Sequence, residues 1–203
     1  MLKLRHFQND GDASGFSRQN RLGRAGKTAA VGKSTVDLVE YSEDWPRMFE
    51  EAASVLRAIL GDRALLIEHI GSTSVPGLIA KPTIDITVAV RSIDDVYECR
   101  QALEALGYDF RNGFHQDHLM VRKIVGAERA QHVHFRVYPA AEFDDWILFR
   151  DLLRRDESAR CAYADEKREL ATRFYDDRGS YVDAKTRIVE RLLAQAREEN
   201  RRL

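Results

Sequence analysis

The stretch Ile67-Glu-His-Ile-Gly-Ser-Thr-Ser-Val-Pro-Gly-Leu-Ile-Ala-Lys-Pro-Thr-Ile-Asp85 decides how this chain folds and where its chemistry is expected. Its leading apolar residues predict a short buried strand, and Gly71 lets the backbone turn tightly after it. The hydroxyls and main-chain N–H groups of Ser72-Thr73-Ser74 then form a turn that can hold an anion. Lys81 supplies a point charge for phosphate, and Asp85 supplies a carboxylate for a divalent metal. This order predicts a phosphate-handling site.

The second apolar run, residues 83–90, alternates between two faces as a half-buried strand does. Ile84 and Ile86 lie on one face, whereas Asp85 and Thr87 lie on the other. The pattern therefore predicts that the carboxylate of Asp85 projects from a core strand toward a polar surface.

Two motifs, His69-Ile-Gly-Ser-Thr-Ser-Val-Pro-Gly-Leu and Lys81-Pro-Thr-Ile-Asp, resemble the signature of the GrpB family, a branch with the nucleotidyltransferase fold. The likeness covers roughly residues 36–184, including the strand that carries His132-Val-His134. The resemblance implies an α+β fold: a small mixed β-sheet flanked by helices, with a helical C-terminal part. It also implies that basic helix residues such as Arg150 and Lys167 close over the pocket and hold a polyphosphate or acidic substrate.

One departure from the nucleotidyltransferase pattern concerns the metal site. These enzymes carry two carboxylates in Asp-x-Asp spacing, because two metal ions flank the attacking and leaving oxygens. This chain has Asp85-Ile-Thr87 instead, and a threonine hydroxyl is a weak, neutral ligand. The metal chemistry is therefore either altered or absent.

The pair His132 and His134 offers a different set of ligands. Residues i and i+2 of a strand share a face, so both imidazoles can reach one metal ion or one phosphate. If this strand neighbours Asp85, the set of one carboxylate and two histidines suits Zn, Mn or Fe better than Mg. The alternative is that both imidazoles line a polar pocket as hydrogen-bond donors. A divalent metal such as Mg, Mn or Zn is the expected cofactor, and no organic cofactor is implied.

The turn and the aspartate also have purely structural interpretations. Ser and Thr commonly cap helices and Pro favours the first helical position, so residues 71–74 could cap a helix that Val75-Pro76 begins. Asp85 could accept backbone N–H bonds from the turn and fix its shape without any chemistry.

Composition and charge set the domain organisation. At 203 residues and 44% hydrophobic content, the chain can bury one core of ordinary size, which we place in residues 34–203. Residues 1–33 carry seven Lys and Arg against two Asp and show no apolar periodicity, which predicts a disordered basic arm. The net charge of −1 gives no argument for nucleic acid. Without an 18-residue apolar run or a signal sequence, we expect a cytoplasmic protein with no membrane contact. The oligomeric state stays open.

Periodicity and capping residues predict the remaining elements. Helices are expected over residues 44–60 and 92–107, and strands over residues 118–124 and 132–138, with a turn at Gly126 between these strands. Three C-terminal helices are expected, with breaks near residues 155 and 179.

The functional hypothesis is binding of a nucleotide or another phosphorylated small molecule, with metal-assisted nucleotidyl or phosphoryl transfer as its catalytic form. Asp85 would hold the metal, Ser72 and the turn amides would hold phosphates, and Lys81 would stabilise transferred charge. Two alternatives stay open. One is a non-catalytic ligand- or partner-binding module linked to coenzyme A or nucleotide metabolism, because GrpB-like domains occur fused to dephospho-coenzyme A kinase. The other is a single-metal hydrolase built on Asp85, His132 and His134.

Overall fold

The structure is a computed structural model that describes residues 35–110, 114–115, 117–125 and 128–202. The predicted basic arm and the predicted turn at Gly126 lie outside the described residues.

A mixed β-sheet forms the centre of the fold. Its strands run in the order β1-β2-β6-β5-β3, and β4 also pairs with β5. Strands β2 and β6 are parallel, whereas the other pairs are antiparallel. The strands are β1 (Ala64–Ile70), β2 (Ile84–Val90), β3 (Tyr108–Asp109), β4 (Phe114–His115), β5 (His118–Val125) and β6 (Glu128–Val137).

Six helices accompany the sheet in the described part of the chain. They are α1 (Asp44–Leu60), α2 (Ile93–Glu98), α3 (Arg100–Ala105), α4 (Ala141–Arg155), α5 (Glu157–Arg173) and α6 (Arg178–Asn200). The single helix predicted over residues 92–107 is wrong, because the backbone leaves helical geometry at Cys99. The break predicted near residue 155 is confirmed, but the one predicted at Gly179 falls earlier, since the side chain of Asp177 caps α6 by accepting from Ser180 N.

The alternation predicted for β2 is confirmed, and it separates an apolar face of the sheet from a polar one. Ile84, Ile86, Val88 and Val90 are fully buried, and they pack in one cluster with residues of α1 such as Leu56. The opposite face carries Asp85, Thr87 and their neighbours on β6, and α4 lies against it.

Strand β1 differs from its predicted burial because it stands at the edge of the sheet. Leu65 is 38% exposed and Leu66 is 42% exposed, whereas His69 and Ile70 at the other end are buried. An edge strand has a neighbour on one side only, so it buries fewer of its side chains. The strand is thus anchored mainly at the end that leads into the turn.

The C-terminal helices build a second core that is separate from the sheet core. Val75, Leu78 and Ile79, which follow the turn, pack against Leu152 of α4 and Leu192 of α6. The polar face of the sheet therefore lies at the seam between two apolar cores. This seam is where charged and polar side chains collect.

Residues 35–43 connect the C-terminal helices to the segment that precedes β2. Val36 N donates to Tyr175 O after α5, and Val39 pairs with Ala80 in an antiparallel bridge. Among the described residues, no helix has both the length and the apolar character needed to cross a membrane.

Candidate functional site

The backbone of Gly71 and the carboxylate of Asp85 meet at the centre of the seam. Gly71 ends β1 with a φ of 72°, in the left-handed region that favours glycine. A Cβ at this position would lie 2.5 Å from Asp85 Oδ2 and 3.0 Å from Asp85 Cβ, so no other residue fits without displacing the aspartate. We call residues 71–74 the serine turn. The close approach brings this turn and the acid of β2 to one place, as the sequence predicts.

The three hydroxyls of the serine turn have different roles. Thr73 Oγ1 lies 3.1 Å from His69 Nε2 and donates to Thr83 O at 3.0 Å, and Ser74 Oγ donates to Gly71 O at 2.6 Å. Thr73 and Ser74 are almost completely buried, so their side chains fix the turn. Ser72 is half-buried, and its hydroxyl makes no hydrogen bond within the described part of the chain. Ser72 is therefore the hydroxyl that a ligand can use.

The structure does not support a helix that begins at Val75-Pro76. Residues 72–74 form one 3-10 turn, and the backbone at Val75 is extended. The hydroxyls of Thr73 and Ser74 bond within the turn or to Thr83 and His69, not to a following helix. The helix-capping interpretation of the turn is therefore wrong.

Asp85 is held by a histidine from the neighbouring strand. The parallel register sets Asp85 beside His132, and Asp85 Oδ1 lies 3.1 Å from His132 Nδ1. Because an ionised carboxylate can only accept, Nδ1 is the protonated nitrogen of the ring. Burial alone would raise the pKa of Asp85, but the hydrogen bond from His132 and the nearby histidines leave it below its ordinary value. The Asp85 side chain is 30% exposed, so it is a charged group that a ligand can reach.

The two histidines of β6 share the polar face, as predicted, but they turn to different partners. His134 Nδ1 lies 3.2 Å from His118 Nε2, and Trp146 of α4 packs against both rings. Burial lowers the pKa of His134 to about 4, which leaves it neutral at pH 7. No three His, Cys, Asp or Glu side chains in the described residues are arranged to hold a metal ion. Asp85, His132 and His134 thus do not form the predicted three-ligand set.

Thr87 occupies the position of the second carboxylate in the Asp-x-Asp pattern. It is fully buried, and its hydroxyl donates to His134 O at 3.3 Å. The hydroxyl therefore fastens β2 to β6. Any metal at this face would bind the protein through Asp85 and would take its other ligands from water or from the phosphates of a substrate, a mode that Mg²⁺ accepts.

Arg150 of α4 is not among the groups that converge on Asp85, although the sequence suggests it as a phosphate ligand. Its Nη1 donates to Glu68 at 2.6 Å and to His69 O at 3.0 Å, and its Nε donates to Asp151 at 2.7 Å. Two carboxylates neutralise its charge. Its neighbour Arg154 donates twice to Ser74 O, so both arginines fasten α4 to β1 and the serine turn.

Three lysines gather near Asp85 on the side of the C-terminal helices. Lys81 Nζ lies 4.7 Å from the centroid of the Tyr181 ring, and Lys185 Nζ lies 5.0 Å from the same centroid. Lys167 is 2% exposed, and its Nζ donates to Ile79 O. Burial, reinforced by Lys185 and Lys81, lowers the pKa of Lys167 to about 6, whereas Asp85 acts in the opposite direction. We call Lys81, Lys167 and Lys185 the lysine group.

Sequence reasoning missed Lys185 and Tyr181. Both lie on α6, about a hundred residues beyond the serine turn, in a helix rich in exposed charge. No spacing in the sequence distinguishes Lys185 from its neighbours. A buried tyrosine one helical turn before a lysine was the available signal, since residues i and i+4 share a helix face.

Comparisons with known proteins agree with the fold and with the signature. The family model described as GrpB protein matches residues 35–195. A UPF0157 protein of Halalkalibacterium halodurans is 37% identical over 163 residues, which cover 80% of this chain and 83% of that protein. The crystal structure of the conserved protein GrpB from Enterococcus faecalis matches with a TM-score of 0.75 and 32% identity, over 81% of this chain and 99% of that one. The predicted α+β class, a small mixed sheet flanked by helices with a helical C-terminal part, is therefore confirmed.

A longer protein contains a related segment. Dephospho-CoA kinase of Mycolicibacterium paratuberculosis is 29% identical to this chain, over 78% of this chain and 45% of that protein. The likeness thus covers less than half of the kinase.

Replacing Gly71 with alanine tests the contact between the serine turn and Asp85. Gly71→Ala adds a Cβ in a positive-φ conformation and against Asp85 Oδ2. We expect a loss of about 1–2 kcal/mol from the conformation and about 1–3 kcal/mol more from the clash. The free energy of unfolding, measured with urea, checks this.

Gly77 provides the matched control for this substitution. Its φ is 75°, but a Cβ there would have nothing within 4 Å. Gly77→Ala should therefore lose only the conformational part. Equal losses for the two variants would contradict the close approach of Gly71 to Asp85.

The buried Lys167 predicts a pH dependence of stability. Its pKa is about 6 when folded and 10.5 in its ordinary state, so the unfolded chain binds more protons between these values. The free energy of unfolding contributed by this group therefore rises with pH in that window, by up to about 1.4 kcal/mol per pH unit. Urea unfolding at pH 7 to 9 should show this rise in the wild type relative to Lys167→Met. Identical slopes in the two proteins would contradict the burial of Lys167.

Proposed function

The chain belongs to the GrpB family, and we propose that it binds a nucleotide or another phosphorylated small molecule between the serine turn and the lysine group. The observation that carries this proposal is the convergence of the serine turn, Asp85 and three lysines on one seam of the fold. Lys81 and Lys185 bring two cations to this seam, and Lys167, whose pKa of about 6 leaves it mostly neutral at pH 7, lies beside them. A bound phosphate would attract both cations and relieve the repulsion between them.

The groups around the seam suit different parts of such a ligand. The Ser72 hydroxyl, which has no partner within the described part of the chain, can donate to a phosphate oxygen. Lys81 and Lys185 both stand over the Tyr181 ring, whose face attracts their ammonium groups and helps to position them. An anion beside Lys167 would favour its protonated form and so recover a third positive charge.

A divalent metal fits this site only in a limited way. Asp85 is ionised and partly exposed, so it can hold a metal that a nucleotide brings with its own phosphates. Bound there, the metal would neutralise phosphate charge and polarise the phosphorus–oxygen bond. His132 keeps Asp85 oriented through its Nδ1 hydrogen bond. Because the pKa of Asp85 is lowered, this carboxylate is suited to binding a cation and poorly suited to accepting a proton.

If the protein is an enzyme, the proposed reaction is nucleotidyl or phosphoryl transfer. An acceptor hydroxyl would form a bond to the phosphorus next to the leaving group, and the bond to the leaving phosphate or pyrophosphate would break. The proton of the acceptor would pass to water. The lysine group would stabilise the negative charge that develops on the leaving group.

A non-catalytic binding module is the second candidate, and a specific observation favours it. Thr87 is buried and bonded to the main chain where transferases of this fold carry a second acid. The related segment in a dephospho-CoA kinase agrees with a supporting role around coenzyme A or nucleotide metabolism. The single-metal hydrolase has less support, because Asp85, His132 and His134 are not arranged around one metal position.

Thermal denaturation with nucleoside triphosphates tests the proposed site. With Mg²⁺ or Mn²⁺ present, a ligand at a hundred times its Kd should add about 2.7 kcal/mol of stability. Lys185→Met should reduce this stabilisation with and without metal, because it removes a charge that contacts phosphate. Asp85→Asn should remove only the metal-dependent part, since an asparagine oxygen can still accept from His132.

Asp165→Asn is the matched control, because Asp165 is an exposed aspartate of α5 that pairs with Arg168. It should leave the stabilisation unchanged. Stabilisation by nucleotide alone would favour the binding module, and release of pyrophosphate with an acceptor would favour transfer. No stabilisation by any triphosphate, or none that responds to Lys185→Met, would contradict the proposal.

A further inference from the structure

A cavity lies beside the edge strand β1, and residues of this strand and of the serine turn line it. Its volume is about 750 Å³, and it opens between α1, β1 and the junction of α4 with α5. Ser74 and Pro76 line it, whereas the described residues that line it include neither Asp85 nor any member of the lysine group. We call it the arginine cavity. It is therefore a site apart from the one proposed for phosphates.

The first argument for an anionic ligand is the charge of the residues that line the cavity. Four arginines line the cavity against two glutamates, and His69 between them is neutral because burial lowers its pKa to about 4. Arg150 is neutralised by Glu68 and Asp151. Arg57 has Glu50 as its nearest carboxylate, at 3.8 Å, which is too long for a hydrogen bond. The wall keeps an excess of positive charge.

The second argument for an anionic ligand is that backbone carbonyls orient two of the arginines. Arg154 donates through Nε and Nη2 to Ser74 O, and Arg160 donates through Nη1 to Leu153 O at 3.0 Å. These partners are backbone carbonyls, which orient a guanidinium without cancelling its charge. The nearest carboxylate to Arg154 is Asp151, whose Oδ1 lies 3.8 Å from Nη1, too far for a hydrogen bond. Arg160 Nε and Nη2 make no hydrogen bond within the described part of the chain. Two oriented cations with donors to spare are suited to a carboxylate or a phosphate.

The other residues that line the cavity can contact a planar ring or another apolar part of a ligand. Tyr41, Phe49, Pro46 and Pro76 line the cavity beside the arginines. Tyr41 packs edge-on against Trp45, with ring centroids 5.2 Å apart, and its hydroxyl makes no hydrogen bond within the described residues. Burial and the charge of Glu43 raise the pKa of Tyr41, whereas Arg154 lowers it, and both Tyr41 and Arg154 line the cavity. A ligand can thus place a ring against the aromatic wall and its acid against Arg154 and Arg160.

We propose that the arginine cavity is a second binding site, which takes a small molecule with a phosphate or carboxylate on a planar or apolar body. It shares the serine turn with the site at Asp85, because Arg154 holds Ser74 O while Ser74 Oγ holds Gly71 O. A ligand that draws Arg154 toward itself would act directly on this turn. The second site is therefore placed to affect the first.

The two tryptophans of the chain make the test specific to each site. Trp45 adjoins Tyr41 at the cavity, and Trp146 packs on His118 and His134 at the sheet face. We would titrate the full-length protein with phenyl phosphate in EDTA and follow the two indole N–H peaks by NMR, with Trp146→Phe to assign them. The Trp45 peak should shift with saturation, and any shift of the Trp146 peak should respond to Lys185→Met and not to substitutions in the arginine cavity. Phenol, the same ring without the charge, should bind at least about tenfold more weakly.

Variants of the wall should change this affinity in opposite directions. Arg160→Gln and Arg57→Gln should each weaken phenyl phosphate by about tenfold, and Glu50→Gln should tighten it. The Arg57→Gln result stays interpretable even if Arg160→Gln disturbs α4, because Arg57 is exposed and lies 3.8 Å from its partner Glu50. Arg168→Gln, on an exposed part of α5, is the control.

Other outcomes separate this proposal from the one at Asp85. Lys185→Met and Asp85→Asn should leave the Trp45 titration unchanged, and Arg57→Gln should leave direct nucleotide stabilisation in place. A Trp45 peak that does not move, that moves equally with phenol, or that ignores both arginine substitutions would overturn the second site. A titration abolished by Lys185→Met would assign the ligand to the first site.

Discussion

The close approach of Gly71 to Asp85 is the constraint on which the site depends. A glycine at the end of β1 allows the carboxylate of β2 to lie against the backbone, where a single methyl group would collide with it. His132 then holds the carboxylate from the other side. The acid is thus fixed between a turn and a neighbouring strand, and it keeps its charge although it is mostly covered. Without this contact the serine turn and the sheet would present unrelated polar groups.

Two apolar cores determine what surrounds this contact. The sheet core lies on the side of α1, and the helical core lies under residues 75–79, so the polar face of the sheet is left at the seam between them. Arg150 and Arg154 of α4 close one end of the seam by binding β1 and the serine turn. The lysine group lies at the other end, against α5 and α6. Around the seam, Arg150 and Arg154 bind carboxylates and carbonyls, whereas each member of the lysine group lies over a tyrosine ring.

The sequence predicts the parts of this site that depend on local geometry. The alternation of β2 places Asp85 on the polar face, and the i, i+2 spacing places His132 and His134 there as well. It cannot predict which partner each group takes, because the partners are distant in the chain. Arg150 finds Glu68, 82 residues away, and so is removed from the phosphate ligands that the family likeness suggests. Thr73 and Ser74 become structural through partners close in the chain, because their hydroxyls bond to Thr83 O and Gly71 O. Lys185 was missed because its one signal in the sequence, Tyr181 one helical turn earlier, is weak on a helix rich in charge.

The central claim is that phosphates and a metal would meet at Asp85 and the serine turn. It is tested most directly by the crystal structure of the protein with a non-hydrolysable nucleoside triphosphate and Mn²⁺, located by anomalous diffraction. The account predicts one manganese peak within coordinating distance of Asp85, with phosphate oxygens on Ser72 and on Lys81 or Lys185. A nucleotide seated elsewhere, with Asp85 still bound only to His132 and packed on Gly71, would contradict it.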